Sequence, residues 1–201
     1  MNMNYLPIIF VVDVSRSMEG ERMTSLNGWF HSFLSHCQHI SECRDIMVQL
    51  AILSYSSGCK WMYNELIDWP LFEYKELSAF GLSDLGGALK TLNEKMRSFD
   101  EGGFFHISSK RYSTTTIIFI SDGNPTDNYV YYLNKIKQNY FFKSANKIAI
   151  AIGNNAPIDV LEELTCNKEA ILDVHSADML FKPSMYLDTF RDDMPYYPEV
   201  E

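Results

Sequence analysis

The chain has 201 residues, of which 46% are hydrophobic and 14% aromatic, a composition that excludes an intrinsically disordered chain. This length fits one domain with a sizeable core, and we expect a single domain over residues 1–201. The net charge of −9 argues against non-specific binding to nucleic acid, which rests on neutralising phosphates, and favours proteins or cations as partners.

No apolar run approaches the roughly 20 residues that a membrane span needs. The N-terminus has no basic region before its first apolar run, and that run ends in Asp13 rather than at a small-residue cleavage site. We therefore expect no signal peptide and no contact with a membrane. The expected location is the cytoplasm.

The periodicity of apolar residues predicts strands that alternate with helices along the chain. The turn signal Ser56-Ser57-Gly58 between two strands predicts an antiparallel hairpin, whose second strand is expected at the edge of the sheet. In chain order the predicted elements are strand 6–13, helix 20–39, strand 46–55, strand 59–67, irregular segment 69–80, helix 84–99, loop 100–113, strand 114–121, helix 126–142, strand 147–152, helix 158–164, strand 170–174 and helix 177–191.

This order predicts the α/β class. Parallel strands need crossover connections, which the intervening helices provide, and right-handed crossovers make a doubly wound, Rossmann-like topology the default. We expect a mainly parallel sheet with helices on both faces and one antiparallel edge strand.

Oxygen-bearing side chains follow the two most apolar strands. The run Ile8–Val12 ends in Asp13, with Ser15 and Ser17 at alternating positions behind it, and the run Thr116–Ile120 ends in Ser121-Asp122-Gly123. Ligand groups in open α/β sheets sit just beyond the carboxyl ends of the strands. Carboxylates and hydroxyls at such a place suit a hard cation such as Mg2+.

Asp13-x-Ser15-x-Ser17, then Ser83, then Asp122-Gly123 resembles the metal-ion-dependent adhesion site of von Willebrand factor type A (vWA) domains. That family has Asp-x-Ser-x-Ser, a Thr and an Asp; Ser83 stands where the Thr is usual and keeps its hydroxyl. We call Asp13, Ser15, Ser17, Ser83 and Asp122 the oxygen cluster.

The resemblance implies a Rossmann-like vWA fold with a six-stranded sheet. It also implies that Ser15, Ser17 and Ser83 ligate Mg2+ (or Mn2+ or Ca2+) directly, and that Asp13 and Asp122 do so directly or through water. One coordination position is then left for a carboxylate supplied by a partner protein. This is binding chemistry, so the resemblance implies a protein that is not an enzyme.

The segments Asp122-Gly123-Asn124-Pro125-Thr126-Asp127 and Ser83-Asp84-Leu85-Gly86-Gly87-Ala88-Leu89 look like those of the bacterial TerY-type branch. Proteins of that branch are compact intracellular vWA proteins associated with tellurium-resistance and stress-response gene clusters. A PP2C-type phosphatase and a protein kinase are the partners that this likeness implies.

Other interpretations of the same residues stay open. Asp13 and Asp122 alone could be helix caps. Capping is the role we expect for Asp84 and for Thr126, with Asp127 in the first turn of the helix that follows Thr126. A Mg2+-dependent phosphatase of the haloacid-dehalogenase type also places an Asp at a strand end, but it needs a second acid where Ser15 stands. A structural subunit with a purely stabilising metal is a further alternative.

The four cysteines are expected to be reduced and buried in a cytosolic protein. One group of residues is of the types that bind zinc in proteins: His36, Cys37, His39 and Cys43. The spacing of His39 and Cys43 would place them on the same face of a helix. The group lacks the paired Cys-x-x-Cys of known zinc motifs, and we expect the helix to fray there, so this alternative is the weaker one.

Overall fold

The computed structural model describes residues 3–154 and 156–174, and within them a mainly parallel sheet forms the centre of the protein. The strands are β1 (Asn4–Asp13), β2 (Ile46–Ser56), β3 (Gly58–Trp61), β4 (Ile67–Asp68), β5 (Arg111–Tyr112), β6 (Thr116–Ser121), β7 (Asn146–Ile152) and β8 (Ile171–Val174). Their spatial order is β3-β2-β1-β6-β7-β8, with β4 paired to β2 and β5 to β1.

The pairings β1–β2, β1–β6, β6–β7 and β7–β8 are parallel, whereas β3 and β4 run antiparallel to β2. The predicted fold class, a doubly wound mainly parallel α/β sheet with an antiparallel edge, is therefore confirmed. The helices are α1 (Glu21–Arg44), α2 (Leu85–Lys95), α3 (Val130–Ile136), α4 (Tyr140–Ser144) and α5 (Ile158–Thr165).

β1 is buried along nearly its whole length because both faces of the sheet are covered. One face carries Ile8 and Phe10 into a cluster with α1, and the other carries Ile9 and Val11 into a cluster with α2. The ring of Phe10 meets those of Trp29, Phe30 and Phe33 from α1 edge-on, at centroid distances of 5.7, 5.1 and 5.1 Å. Full burial of such side chains stabilises the fold by about 1.5–3 kcal/mol each, which fixes β1 and its end at Asp13.

Several predicted element ends were wrong. The first helix does not fray near His39 but continues to Arg44, and Asp45 closes it in the left-handed conformation. The second helix ends at Lys95, and the predicted strand 59–67 is two short strands separated by an irregular segment. The predicted helix 177–191 lies outside the described residues.

The predicted helix 126–142 is two helices, α3 and α4, because polar side chains at its two ends have tertiary partners. Asn139 caps α4 by accepting from the Phe142 N–H, and its amide donates to Asn93 Oδ1 and Met96 O. Thr126 at the other end is bonded to Ser83 rather than to a helix that it begins. Local propensity is overridden at both places by contacts that periodicity does not encode.

Candidate metal centre

The topology brings the ends of β1 and β6 together at the carboxyl edge of the sheet. These strands are hydrogen-bonded neighbours, with Val12 opposite Ile120, so that Asp13 and Asp122 leave the sheet side by side. Ser15 and Ser17 lie on the short turn after β1, and Ser83 lies just before α2. All five residues of the oxygen cluster that the sequence predicted are brought together here.

Asp13 is the buried centre of the cluster, with 0% of its surface exposed. Its Oδ1 accepts from the Ser15 N–H at 2.8 Å, and its Oδ2 accepts from Ser83 Oγ at 2.8 Å and from Ser121 Oγ at 3.0 Å. A buried carboxylate is costly unless it is hydrogen-bonded, and these donors hold it in one orientation.

Asp122 joins the same network from the next strand. Its Oδ1 accepts from Ser17 Oγ at 2.7 Å, and Ser17 Oγ lies 3.0 Å from Ser15 Oγ. Its Oδ2 accepts from Nη1 of Arg22, which forms an ion pair with it. Both carboxylates and all three hydroxyls of the oxygen cluster thus belong to one hydrogen-bond network, in which the main-chain N–H of Ser15 links Asp13 to the Ser15–Ser17–Asp122 part.

The loops that carry these residues are tied to one another by main-chain hydrogen bonds. The Phe80 N–H donates to Val14 O at 2.7 Å, and the Arg16 N–H donates to Gly81 O at 3.1 Å. Gly81 has a φ of +71°, a conformation that favours glycine. Thr126 donates to Ser83 O through both its N–H and its hydroxyl, so the three loops form one rim.

Asp84 and Asp127 lie at the start of α2 and act on its first free N–H groups. Asp84 caps the helix by accepting from the Gly87 N–H at 2.8 Å, which confirms its expected capping role. Asp127 was predicted to begin the following helix; it instead accepts from the Gly86 N–H at 2.9 Å, while α3 begins at Val130. Burial raises the pKa of Asp127, and the nearby charge of Asp84 adds to the rise, while the Gly86 N–H opposes it.

Three residues of the site were missed by sequence reasoning: Arg22, Tyr55 and Ser121. Ser121 directly precedes Asp122, and its hydroxyl could have been inferred from the strand end. Tyr55 is opposite Asp13 in the β1–β2 register, where burial and then the charge of Asp13 raise its pKa well above the usual value, so its hydroxyl stays protonated. Arg22 lies in the first turn of α1 and had no sequence signal.

The side-chain oxygens of the oxygen cluster are suitable ligands for a hard divalent cation. It offers two carboxylates and three hydroxyls and contains neither thiolate nor imidazole, which is the ligand chemistry of Mg2+, Mn2+ or Ca2+. The part of the chain that the structure describes has no group of three or more His, Cys, Asp or Glu side chains able to hold a metal. A metal held here therefore depends on the serine hydroxyls.

The zinc alternative on α1 is not supported by the geometry. The Sγ of Cys43 lies 3.6 and 3.7 Å from the ring nitrogens of His39, on the exposed face of the helix. Cys37 points into the core, where burial raises its pKa to about 12, and His36 contacts Ser32 O through Nδ1. The four side chains do not share one face.

No protein-family model and no curated protein matches this sequence. Several solved structures, however, are similar to it in fold. A von Willebrand factor type A protein from Catenulispora acidiphila matches with a TM-score of 0.66 at 15% identity, over 92% of this chain and 42% of that chain. The ArnB paralog VWA2 from Sulfolobus acidocaldarius matches with a TM-score of 0.61 at 18% identity, over 91% and 43%.

This chain has the von Willebrand factor type A fold. A third similar structure is that of proximal thread matrix protein 1 from the mussel byssus, whose metal-ion-dependent adhesion site (MIDAS) motif is occupied by zinc. It matches with a TM-score of 0.64 at 13% identity, over 92% of this chain and 44% of that chain. The chain spans less than half the length of these three vWA-fold proteins. Among the described residues, none of the helices is both long and apolar enough to cross a membrane.

Proposed function

We propose that this vWA-fold protein is a non-enzymatic module that binds a partner protein through a divalent metal ion held by the oxygen cluster, with Mg2+ as the expected ion. The observation that carries the proposal is the convergence of Asp13, Ser15, Ser17, Ser83 and Asp122 from three separate loops into one hydrogen-bonded set. The likeness to a protein whose MIDAS motif holds zinc supports a divalent ion in the same kind of site.

The chain's own residues prepare this site in two ways. The donors from Ser15, Ser83 and Ser121 keep both oxygens of Asp13 oriented, so little rearrangement is needed for binding. The buried Tyr55 side chain of β2 adds a hydroxyl that interacts with Asp13, Ser83 and Ser121. A bound divalent ion supplies a Lewis-acidic position that accepts a carboxylate from the partner.

The rim of the site offers contacts that suit such a partner. Phe80 and Leu82 expose 59% and 64% of their surfaces on the loop that ends in Ser83. Arg16, between Ser15 and Ser17, is exposed as well. An acidic side chain flanked by apolar residues on the partner complements this surface, because exposed apolar groups beside a polar centre are common interface anchors.

The finer assignment is to the TerY-type branch, in a bacterial tellurium-resistance or stress-response system. Its support is the likeness of the Ser83–Leu89 and Asp122–Asp127 segments to those of that branch. The expected partners are then a PP2C-type phosphatase or a protein kinase, and the expected location is the cytoplasm.

The test is a pull-down from extract of the native cell, run in Mg2+ and in EDTA, with wild type, Ser17→Ala and Ser108→Ala. Ser17 is an exposed member of the oxygen cluster, whereas Ser108 is an exposed serine near the opposite end of the sheet, beside Tyr5 and Arg111. We expect a partner that is retained by wild type and Ser108→Ala in Mg2+ but is lost with EDTA and with Ser17→Ala.

Capture that is indifferent to EDTA and to Ser17→Ala would contradict a metal-bridged interface. The same preparations also test the enzyme alternative. Turnover of p-nitrophenyl phosphate in Mg2+ that is lost in Asp13→Asn would contradict the non-enzymatic assignment and favour a phosphatase.

A further inference from the structure

Arg22 contributes a fixed positive charge to the oxygen cluster. Its Nη1 donates both to Asp122 Oδ2 and, at 3.1 Å, to the main-chain oxygen of Ser17. The Asp122 side chain has no exposed surface, whereas 37% of the Arg22 side chain is exposed. The guanidinium thus reaches inward from the first turn of α1 to the one carboxylate oxygen of Asp122 that Ser17 does not use.

The protein leaves room for this guanidinium at the end of a neighbouring strand. Gly153 follows β7 with a φ of +79°, and its N–H donates to Val174 O at 2.8 Å. A Cβ at this position would lie 3.0 Å from Nη2 and 3.4 Å from Cζ of Arg22. Both the backbone conformation and the space beside Arg22 therefore favour glycine here.

We propose that Arg22 is a resident cation of the site, which shares Asp122 with the divalent ion and thereby weakens the binding of that ion. The proposal rests on the proposed function, since it takes the oxygen cluster to be the metal site. A divalent ion that uses Asp122 must either displace the guanidinium or bind beside its charge, and both lower the affinity.

The same contact has a second consequence for the protein without its ion. Arg22 neutralises a fully buried carboxylate, which is otherwise costly to keep charged. The oxygen cluster therefore stays assembled when the ion is absent, and the ion concentration at which the site fills is set by competition with Arg22.

The test compares Mg2+ binding by isothermal titration calorimetry in wild type, Arg22→Gln and Arg111→Gln. Arg111 provides the matched control because it carries the same charge but is exposed on β5, which pairs with the start of β1 at Asn4 and Tyr5, at the opposite end of that strand from Asp13. We expect Arg22→Gln to bind Mg2+ at least about tenfold more tightly, because the ion then no longer competes with one charge-assisted hydrogen bond to Asp122. Arg111→Gln is expected to change the affinity by less than about twofold, since exposed charges far from the site are screened.

A measurement on the unmutated protein makes the test independent of how well the variants fold. In 15N-detected NMR, the Arg22 guanidinium signals should be protected from exchange in EDTA and should shift or lose protection as Mg2+ is added. Equal or weaker Mg2+ binding by Arg22→Gln, or Arg22 signals that do not respond to Mg2+ in a protein that binds it, would overturn the role of Arg22 alone. An absence of Mg2+ binding in wild type and Arg22→Gln alike would overturn the proposed metal site as well.

Discussion

Substitution of Ser83 is the sharpest test of whether the oxygen cluster is a metal site or an ordinary loop. The Ser83 hydroxyl donates to Asp13 Oδ2 at 2.8 Å and is nearly fully buried. We expect Ser83→Ala to lower the free energy of unfolding by about 1–3 kcal/mol, because the buried carboxylate loses a donor, and to weaken Mg2+ binding as well. Urea unfolding in EDTA and calorimetric titration with Mg2+ measure the two effects separately.

Ser83→Thr is the control for that substitution, because it keeps the hydroxyl and adds one methyl group in a buried place. We expect its Mg2+ affinity to stay close to that of wild type, with a modest loss of stability from the extra volume. A Ser83→Thr variant that loses Mg2+ as fully as Ser83→Ala would mean that space at Ser83, rather than its oxygen, governs the site.

The members of the oxygen cluster could be predicted because each is marked in the sequence by a strand end or a helix start. Asp13 and Asp122 follow apolar runs, and Ser83 precedes a helix. Arg22 and Tyr55 could not be predicted, since their contacts with Asp122 and Asp13 depend on how α1 and β2 are placed against the ends of β1 and β6. A long side chain on a helix surface is ordinarily solvated, so its type alone indicates nothing.

The start of α2 is shaped by the approach of Asp127 to Gly86. Alanine is ordinarily favoured over glycine in a helix by about 1 kcal/mol, but a Cβ at Gly86 would collide with Asp127 Oδ2 and lie 3.1 Å from the ring of Tyr132. We therefore expect Gly86→Ala to lower the free energy of unfolding, by about 1–3 kcal/mol in urea denaturation.

The double variant Gly86→Ala/Asp127→Ala tests the cause of that loss. If the contact with Asp127 is responsible, Gly86→Ala should cost less in the Asp127→Ala background, by at least about 0.5 kcal/mol in the double-mutant cycle. Additive effects of the two substitutions would instead mean that the contact with Asp127 does not cause the loss, and would leave Tyr132 and the main chain of Tyr129 as the groups in the way.

The full length of α1 gives its cysteines opposite environments. Cys37 is buried with its pKa raised to about 12 by desolvation, whereas Cys43, further along the helix, is exposed. A raised thiol pKa leaves almost no thiolate at pH 8, so Cys37 should resist iodoacetamide while Cys43 and the exposed Cys166 are alkylated. Peptide mass spectrometry reads the labelled sites, and protein in urea provides the control in which Cys37 also reacts. Rapid native labelling of Cys37 would contradict a continuous, packed α1.

The arrangement of the sheet, mainly parallel with one antiparallel edge, could be predicted more accurately than the ends of its elements. Alternation of strand and helix leaves few topologies once crossovers are right-handed, and the apolar runs of β1 and β6 mark the centre of the sheet. The ends depend on single polar contacts. Asn139 stops one helix by bonding across to Met96, and Thr126 is held by Ser83, which is distant in sequence. Such contacts exist only in the folded chain, so sequence periodicity cannot report them.

A metal at the carboxyl edge of the sheet joins loops from β1, β6 and the start of α2, so its binding should stabilise the entire fold. A ligand at 100 times its dissociation constant adds about 2.7 kcal/mol to the free energy of unfolding. For a chain of this size that corresponds to a rise in Tm of roughly 5 °C or more. We expect saturating MgCl2 to give this rise in differential scanning calorimetry, relative to NaCl of equal ionic strength, and Ser17→Ala to abolish most of it. A Ser17→Ala protein stabilised by MgCl2 as much as wild type would place the bound ion outside the oxygen cluster.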